Sequence, residues 1–216
     1  MKIILASEGF YTEEIVAACE KLVGKARKKI NVAVINEAYA PFRDTLRWVL
    51  ANLNKVAENF GGRLEFVNLL ALDAKEVKER IGKSDVIFVV GGNTDYLMSV
   101  FNKTGFSQML PQLLKTKVYV GSSAGSMVLG KRLSTKAYEK IYGERGTFGI
   151  NQYLGLVNLC FMPHLDSEDF PNRKETLIDA VKDHHGAPVY GLRDDSAIIV
   201  EGETMTTIGS EPLIFK

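Results

Sequence analysis

The chain has 216 residues, 46% of them hydrophobic and 25% charged, which is enough apolar material to close the core of one domain. Its 27 basic and 26 acidic residues leave a net charge of +1, a balance that points to neither nucleic acid nor an anionic membrane as a partner. No apolar stretch approaches the length of a membrane span, and neither Cys19 nor Cys160 has a partner at metal-ligand spacing, so buried free thiols, no metal and a reducing cytoplasm are expected.

Residues 2–6 predict a first strand, since the apolar run Ile3-Ile4-Leu5-Ala6 is short for a signal peptide. A helix follows over about 11–26, with Thr12 as its cap ahead of Glu13 and Glu14. Residues 30–36 predict a second strand. Leu46, Val49, Leu50, Leu53, Ala57 and Phe60 then recur at three- and four-residue spacing, one buried helix face that ends at Gly61-Gly62. Residues 64–69 predict a third strand and 73–81 a short charged helix. Residues 85–90 form a nearly continuous apolar run, the pattern of a strand buried on both faces. This alternation predicts an α/β fold: a doubly wound, mostly parallel sheet with helices on both faces and ligands at the carboxyl ends of its strands. From Ser196 the texture changes. Residues 197–200, 204–208 and 212–215 predict short strands joined at Gly202 and Gly209, an antiparallel edge. No repeat or linker divides the chain, so 1–216 is expected to be a single domain.

The chemistry concentrates at 117–130, KVYVGSSAGSMVLG. Val118, Tyr119 and Val120 read as strand, 124–129 as the start of a helix, and Gly121-Ser122-Ser123-Ala124-Gly125 between them fits G-x-S-x-G. Such a turn lifts the Ser123 hydroxyl out of the sheet edge and aims backbone N–H groups and a helix N-terminus at the space above it. A serine nucleophile needs a base, and the chain has three histidines. His184 and His185 close a helix expected over 173–183, where histidines serve the helix dipole and solubility. His164 instead follows the apolar run 156–162 through Pro163, at the carboxyl end of a strand. For the acid that orients the imidazole, Asp194 and Asp195 follow the strand expected at 189–192, and Asp194 is preferred because it comes first; Asp166, Glu139 and Glu144 are the alternatives. Two N–H donors must meet a tetrahedral oxyanion. Ala124 supplies one by position, and Gly91-Gly92-Asn93 at the end of strand 85–90 supplies the other, although the glycine pair also reads as a plain turn.

With these pieces in order, the chain resembles the peptidase E and cyanophycinase family of serine hydrolases. The matching segments are G-G-N-T at 91–94, G-S-S-A-G at 121–125, P-H at 163–164 and G-L-R-D at 191–194. The resemblance implies a fold related to class I glutamine amidotransferases, with serine in place of their cysteine. It also implies a triad of Ser123, His164 and Asp194, oxyanion donors at Gly92 and Ala124, a small peptide substrate and no cofactor or metal. Asn93 and Arg173 fall to substrate binding, Arg173 lying roughly where peptidase E places the arginine that reads an N-terminal aspartate. The family's acid is typically glutamate, so Asp194 is one methylene short; either the geometry closes around it or Asp195 is the alternative. Asp166, Glu168 and Asp169 crowd the segment before Arg173, where they oppose an acidic substrate group unless they bind its amine. Two rival readings stand beside this one. An esterase or amidase of the α/β-hydrolase type would need Asp166 with His184 or His185. A catalytically inactive small-molecule binding protein draws its support from the aspartate in place of glutamate. A homodimer is left open.

Overall fold

Strands without polar alternation are suited to burial on both faces, and the first half of the chain supplies three of them, in 2–6, 30–36 and 85–90. In the computed structural model, which describes residues 1–43, 47–142 and 148–216, the strands β1 (Lys2–Ala6), β2 (Val32–Ile35), β3 (Leu64–Phe66), β4 (Val86–Val89) and β5 (Val118–Ser122) stand in the order β3-β2-β4-β5-β1, all parallel. β2, β4 and β5 are buried along their whole length. β3 is an edge strand with Leu64 and Phe66 exposed.

Side chains of β1 alternate between the two faces, as the period of a strand requires. Ile4 and Ala6 join one core with α1 (Glu13–Val23) and α2 (Arg47–Asn59). Ile3 and Leu5 join the other with α3 (Ala74–Gly82), α4 (Thr94–Lys103), α5 (Phe106–Leu113) and α6 (Ala124–Met127). Thr12 caps α1, its Oγ1 accepting from the Ile15 N–H at 3.4 Å, and Gly24 ends the helix in the left-handed region at φ 74°. That stop makes α1 shorter than its expected span. On α2, Leu46 lies outside the described residues, and Leu50 and Ala57 face solvent rather than the core. Asn52 takes a buried place on that face instead, for a reason the site supplies.

The second half departs from expectation. After α7 (Thr135–Tyr142), the apolar run 156–162 forms strand only at β6 (Cys160–Met162), and α8 (Arg173–Ala180) leads to β7 (Val189–Gly191). β6 and β7 are parallel neighbours, but in a separate three-stranded sheet. β8 (Ala197–Glu201) and β9 (Thr204–Ile208) add to the main sheet as the expected antiparallel edge beside β1. β10 (Leu213–Phe215) leaves that edge and pairs antiparallel with β7. The small sheet has its own apolar cluster, in which Cys160, Met162 and Val189 meet Ala137 of α7 and Leu177 of α8. Both cysteines are buried and free, and burial raises the Cys19 thiol to about 12. Among the described residues no helix is long and apolar enough to cross a membrane.

Candidate active site

β5 runs into α6 through a single residue, Ser123, whose φ of 51° is rare for a residue with a side chain. Close packing holds this turn. A Cβ on Gly125 would lie 2.2 Å from the Val89 carbonyl oxygen, and one on Gly121 would lie 2.5 Å from Gly125 itself. The Ser123 N–H donates to the carbonyls of Ala6 and Ser7 at 3.1 and 3.0 Å. The neighbouring hydroxyls are buried and engaged: Ser126 donates to the Ala6 carbonyl at 2.8 Å, and Ser122 to Asn52 Oδ1 at 3.1 Å. Ser123 alone of the three is partly exposed.

The end of β4 arrives beside this turn. A Cβ on Gly91 would stand 3.0 Å from Ser123 Cβ and 3.6 Å from its Oγ. Gly92, at φ 143°, presses its Cα on Ala38, where a Cβ would come within 2.3 Å of the carbonyl oxygen. The N–H groups of Gly92 and Ala124 take no partner among the described residues. Asn93 is a helix cap here: its Oδ1 accepts from the Tyr96 N–H at 2.8 Å and its own N–H donates to Ala38.

The small sheet delivers the other groups. Its β6–β7 pairing continues past the strands, with the Leu192 N–H on Met162 and the Leu165 N–H on Leu192, both 2.9 Å. His164 and Asp194 therefore emerge side by side, and His164 Nδ1 lies 2.6 Å from Asp194 Oδ1. Burial pushes the Asp194 carboxyl up, but bonding and attraction from His164, with the hydroxyls of Ser167 and Ser7, outweigh it and hold the group below its usual range. An ionised Asp194 keeps the proton of a neutral imidazole on Nδ1, which leaves Nε2 as the acceptor. His164 is buried, sits at φ 61°, and stacks on Phe170 with centroids 4.9 Å apart.

The other acids are elsewhere. Asp166 pairs with Arg193, and Asp195 Oδ2 accepts from Ser210 at 2.7 Å. Glu139 sits on α7, and Glu144 lies outside the described residues. α8 stops at Ala180 rather than at the expected 183, so His184 and His185 lie beyond the helix, His184 Nε2 2.8 Å from the Ala187 carbonyl and His185 exposed. Arg173 opens α8 and is buried, its guanidinium 4.3 Å from the centroid of Phe170 and 5.0 Å from that of Tyr142. Among the described residues it pairs with no carboxylate.

Sequence reasoning misses Glu8, Asn52, Phe170 and Ser7. Glu8 Oε2 is 3.5 Å from His164 Nδ1, its Oε1 accepts from Asn52 at 2.8 Å, and Asn52 accepts in turn from Ser122. This network is why a polar residue occupies the buried face of α2. Glu8, His164 and Asp194 bring three donor atoms within 4.8 Å of one another, spacing able to hold a metal ion, although Nδ1 is already engaged by Asp194. Burial raises the Glu8 carboxyl, with Asp194 and Asp169 adding to the effect and His164 and Asn52 opposing it. The folded state thus holds the Glu8 proton more tightly than the unfolded chain. Stability falls as pH rises from the ordinary glutamate value of about 4.3 through the folded one. Glu8→Gln should raise the melting temperature at neutral pH, and the difference should vanish in melts below about pH 4, where both states carry the proton. A variant that melts lower at neutral pH would show the carboxylate to be stabilising.

The sequence pattern of peptidase family S51 matches residues 3–208 of this chain. A peptidase E from Shewanella oneidensis is 26% identical over 185 residues, covering 78% of this chain and 77% of the relative. An uncharacterized peptidase from Pasteurella multocida is 25% identical over 151 residues, covering 69% and 72%. Among solved structures, a protein from Listeria monocytogenes EGD-e described as a candidate peptidase E superposes with a TM-score of 0.76 at 22% identity, covering 97% of this chain and 98% of its own. A peptidase from an acI-B1 actinobacterium superposes at 0.68 with 16% identity, covering 99% and 93%.

Proposed function

The chain belongs to peptidase family S51, and from that premise we propose that it hydrolyses short peptides through a triad of Ser123, His164 and Asp194 by way of an acyl-enzyme. The observation that carries this reading is the 2.6 Å contact of His164 Nδ1 with Asp194, linked through Ser7 to the backbone of a serine held at φ 51° at the head of a helix. Ser123 Oγ attacks the substrate carbonyl carbon while His164 Nε2 takes its proton. The N–H groups of Gly92 and Ala124 receive the oxyanion. The imidazolium, stabilised by Asp194, returns the proton to the leaving amine, and water repeats the sequence to free the acid. The shorter aspartate is no obstacle, since it reaches the imidazole at hydrogen-bond distance.

For the substrate, the buried Arg173 supports an acidic side chain at the amino-terminal residue. A guanidinium in an aromatic setting, with no carboxylate partner among the described residues, is poised to receive one in two parallel hydrogen bonds. Asp166, engaged by Arg193, does not compete for it. Asp169, close enough to raise Glu8, remains to meet the substrate's amine. Asn93 keeps its side-chain N–H2 for the same substrate while its oxygen caps α4.

A fluorophosphonate probe should label wild type at Ser123, and a dipeptide panel varied at the first residue should favour aspartate. Arg173→Met should then lower kcat/KM for aspartyl dipeptides by at least about 10- to 100-fold, the loss expected from even one charge-assisted bond of about 1.5–3 kcal/mol, and leave neutral substrates nearly unaffected. Absence of labelling would favour the inactive binding protein. Equal losses on both substrate types would assign Arg173 to the helix start.

A further inference from the structure

Ser7, the residue after β1, touches all three proposed catalytic residues. The parallel register of β1 and β5 sets Ala6 opposite Ser122, which brings Ser7 to the nucleophile turn. Its carbonyl accepts from the Ser123 N–H at 3.0 Å, and its own N–H donates to the Ser196 carbonyl at 3.2 Å, two residues beyond Asp194. Its hydroxyl lies between the other two: the His164 backbone N–H is 2.8 Å away and Asp194 Oδ1 is 3.1 Å away. The side chain is fully buried.

The chemistry of the hydroxyl fixes the direction of these bonds. A backbone N–H only donates, so Ser7 Oγ accepts from His164, and its single proton is left for the carboxylate. Asp194 Oδ1 then receives two donors, the imidazole Nδ1–H and the Ser7 O–H. At the same time the bond on the His164 N–H holds that residue in its positive-φ conformation, which a residue with a side chain adopts only when its surroundings impose it. One buried hydroxyl thus sets the position of the acid and the backbone of the base, and the carbonyl of the same residue sets the turn of the nucleophile.

We propose that Ser7 is a positioning residue that aligns the His164–Asp194 pair with the Ser123 turn, an assignment that rests on the triad reading above. Ser7→Ala strands the His164 N–H and releases one donor from Asp194. With a buried donor left unmade, kcat should fall about 10- to 100-fold while KM changes little, the pattern of a lost transition-state alignment rather than lost substrate binding. The far-downfield proton resonance of the His164–Asp194 hydrogen bond should move or broaden in the same variant. Ser7→Cys keeps the shape and offers only a weak donor and acceptor, so it should shift both readouts the same way if the alanine variant fails to fold. Wild-type kcat and an unmoved resonance in a folded Ser7 variant would overturn the proposal, whatever its melting temperature. A kcat loss reproduced by a KM rise of the same size would also overturn it. The resonance is read without turnover. A wild-type protein that shows it and loses it in Ser7→Ala, yet does not react with fluorophosphonate, would therefore sink the triad reading and leave the positioning by Ser7 standing.

Discussion

Ser123→Ala should abolish hydrolysis and leave the fold intact. Where a serine-protease nucleophile has been removed elsewhere, kcat falls by about 10⁶-fold, and what survives is the ~10³–10⁴-fold catalysis due to binding and the oxyanion hole. The same scale of loss is expected here, with a melting curve close to wild type, because the partly exposed side chain fills no core space. Ser122→Ala and Ser126→Ala make the contrasting pair. Their hydroxyls are buried and bonded to Asn52 and to the Ala6 carbonyl, so each loss should cost about 1–3 kcal/mol of stability and far less activity than Ser123→Ala. Near-full turnover in the Ser123 variant, with dead enzyme from either neighbour, would reassign the nucleophile.

His164→Gln should match the serine variant, and the two losses combined should be no greater than either alone, since nucleophile and base act as one unit. The double variant His184→Gln, His185→Gln should change activity little. Those histidines lie past the end of α8, one bonded to the Ala187 carbonyl and the other in solvent. Steady-state kinetics on purified variants decides the matter: an inactive His184/His185 pair with an active His164 variant would return the α/β-hydrolase ordering to contention.

The nucleophile turn is legible in the sequence because its determinants are local. A short strand-forming run, a glycine-flanked serine and small residues able to start a helix occupy adjacent positions, and the close approaches of Gly121 and Gly125 explain why side chains are missing there. The parallel half of the sheet is legible for the same reason. His164 and Asp194 are found by their position after a strand, although the strands belong to a second sheet, because what matters is that two parallel neighbours end together. The sheet's independence is not legible: strands of three residues carry too little pattern to reveal their partners, and β10 looks like one more edge strand until it is seen against β7. Ser7, Glu8 and Asn52 escape notice because each is ordinary in its own neighbourhood. A polar residue after a strand suggests a turn, and an asparagine in an amphipathic helix suggests solvent. Only the register of β1 against β5 and the packing of α2 across the sheet give them a purpose.

The placement of β1 carries a consequence for a chain still being made. Lys2 faces Val118 on one side and Glu201 on the other, so β1 is synthesised well before either of its neighbours. Closing such distant loops is entropically costly and slow compared with local pairing. The order of events follows from the order of translation. Once residues 118–122 have left the ribosome, β1 and β5 can zip and shape the Ser123 turn around the Ser7 carbonyl. The imidazole and its carboxylate do not yet exist at that point. If the triad is as proposed, an unfinished chain holds a formed but unarmed serine, and hydrolytic power appears only after residues 160–194 have joined, which spares the crowded surroundings of the ribosome from a half-built peptidase.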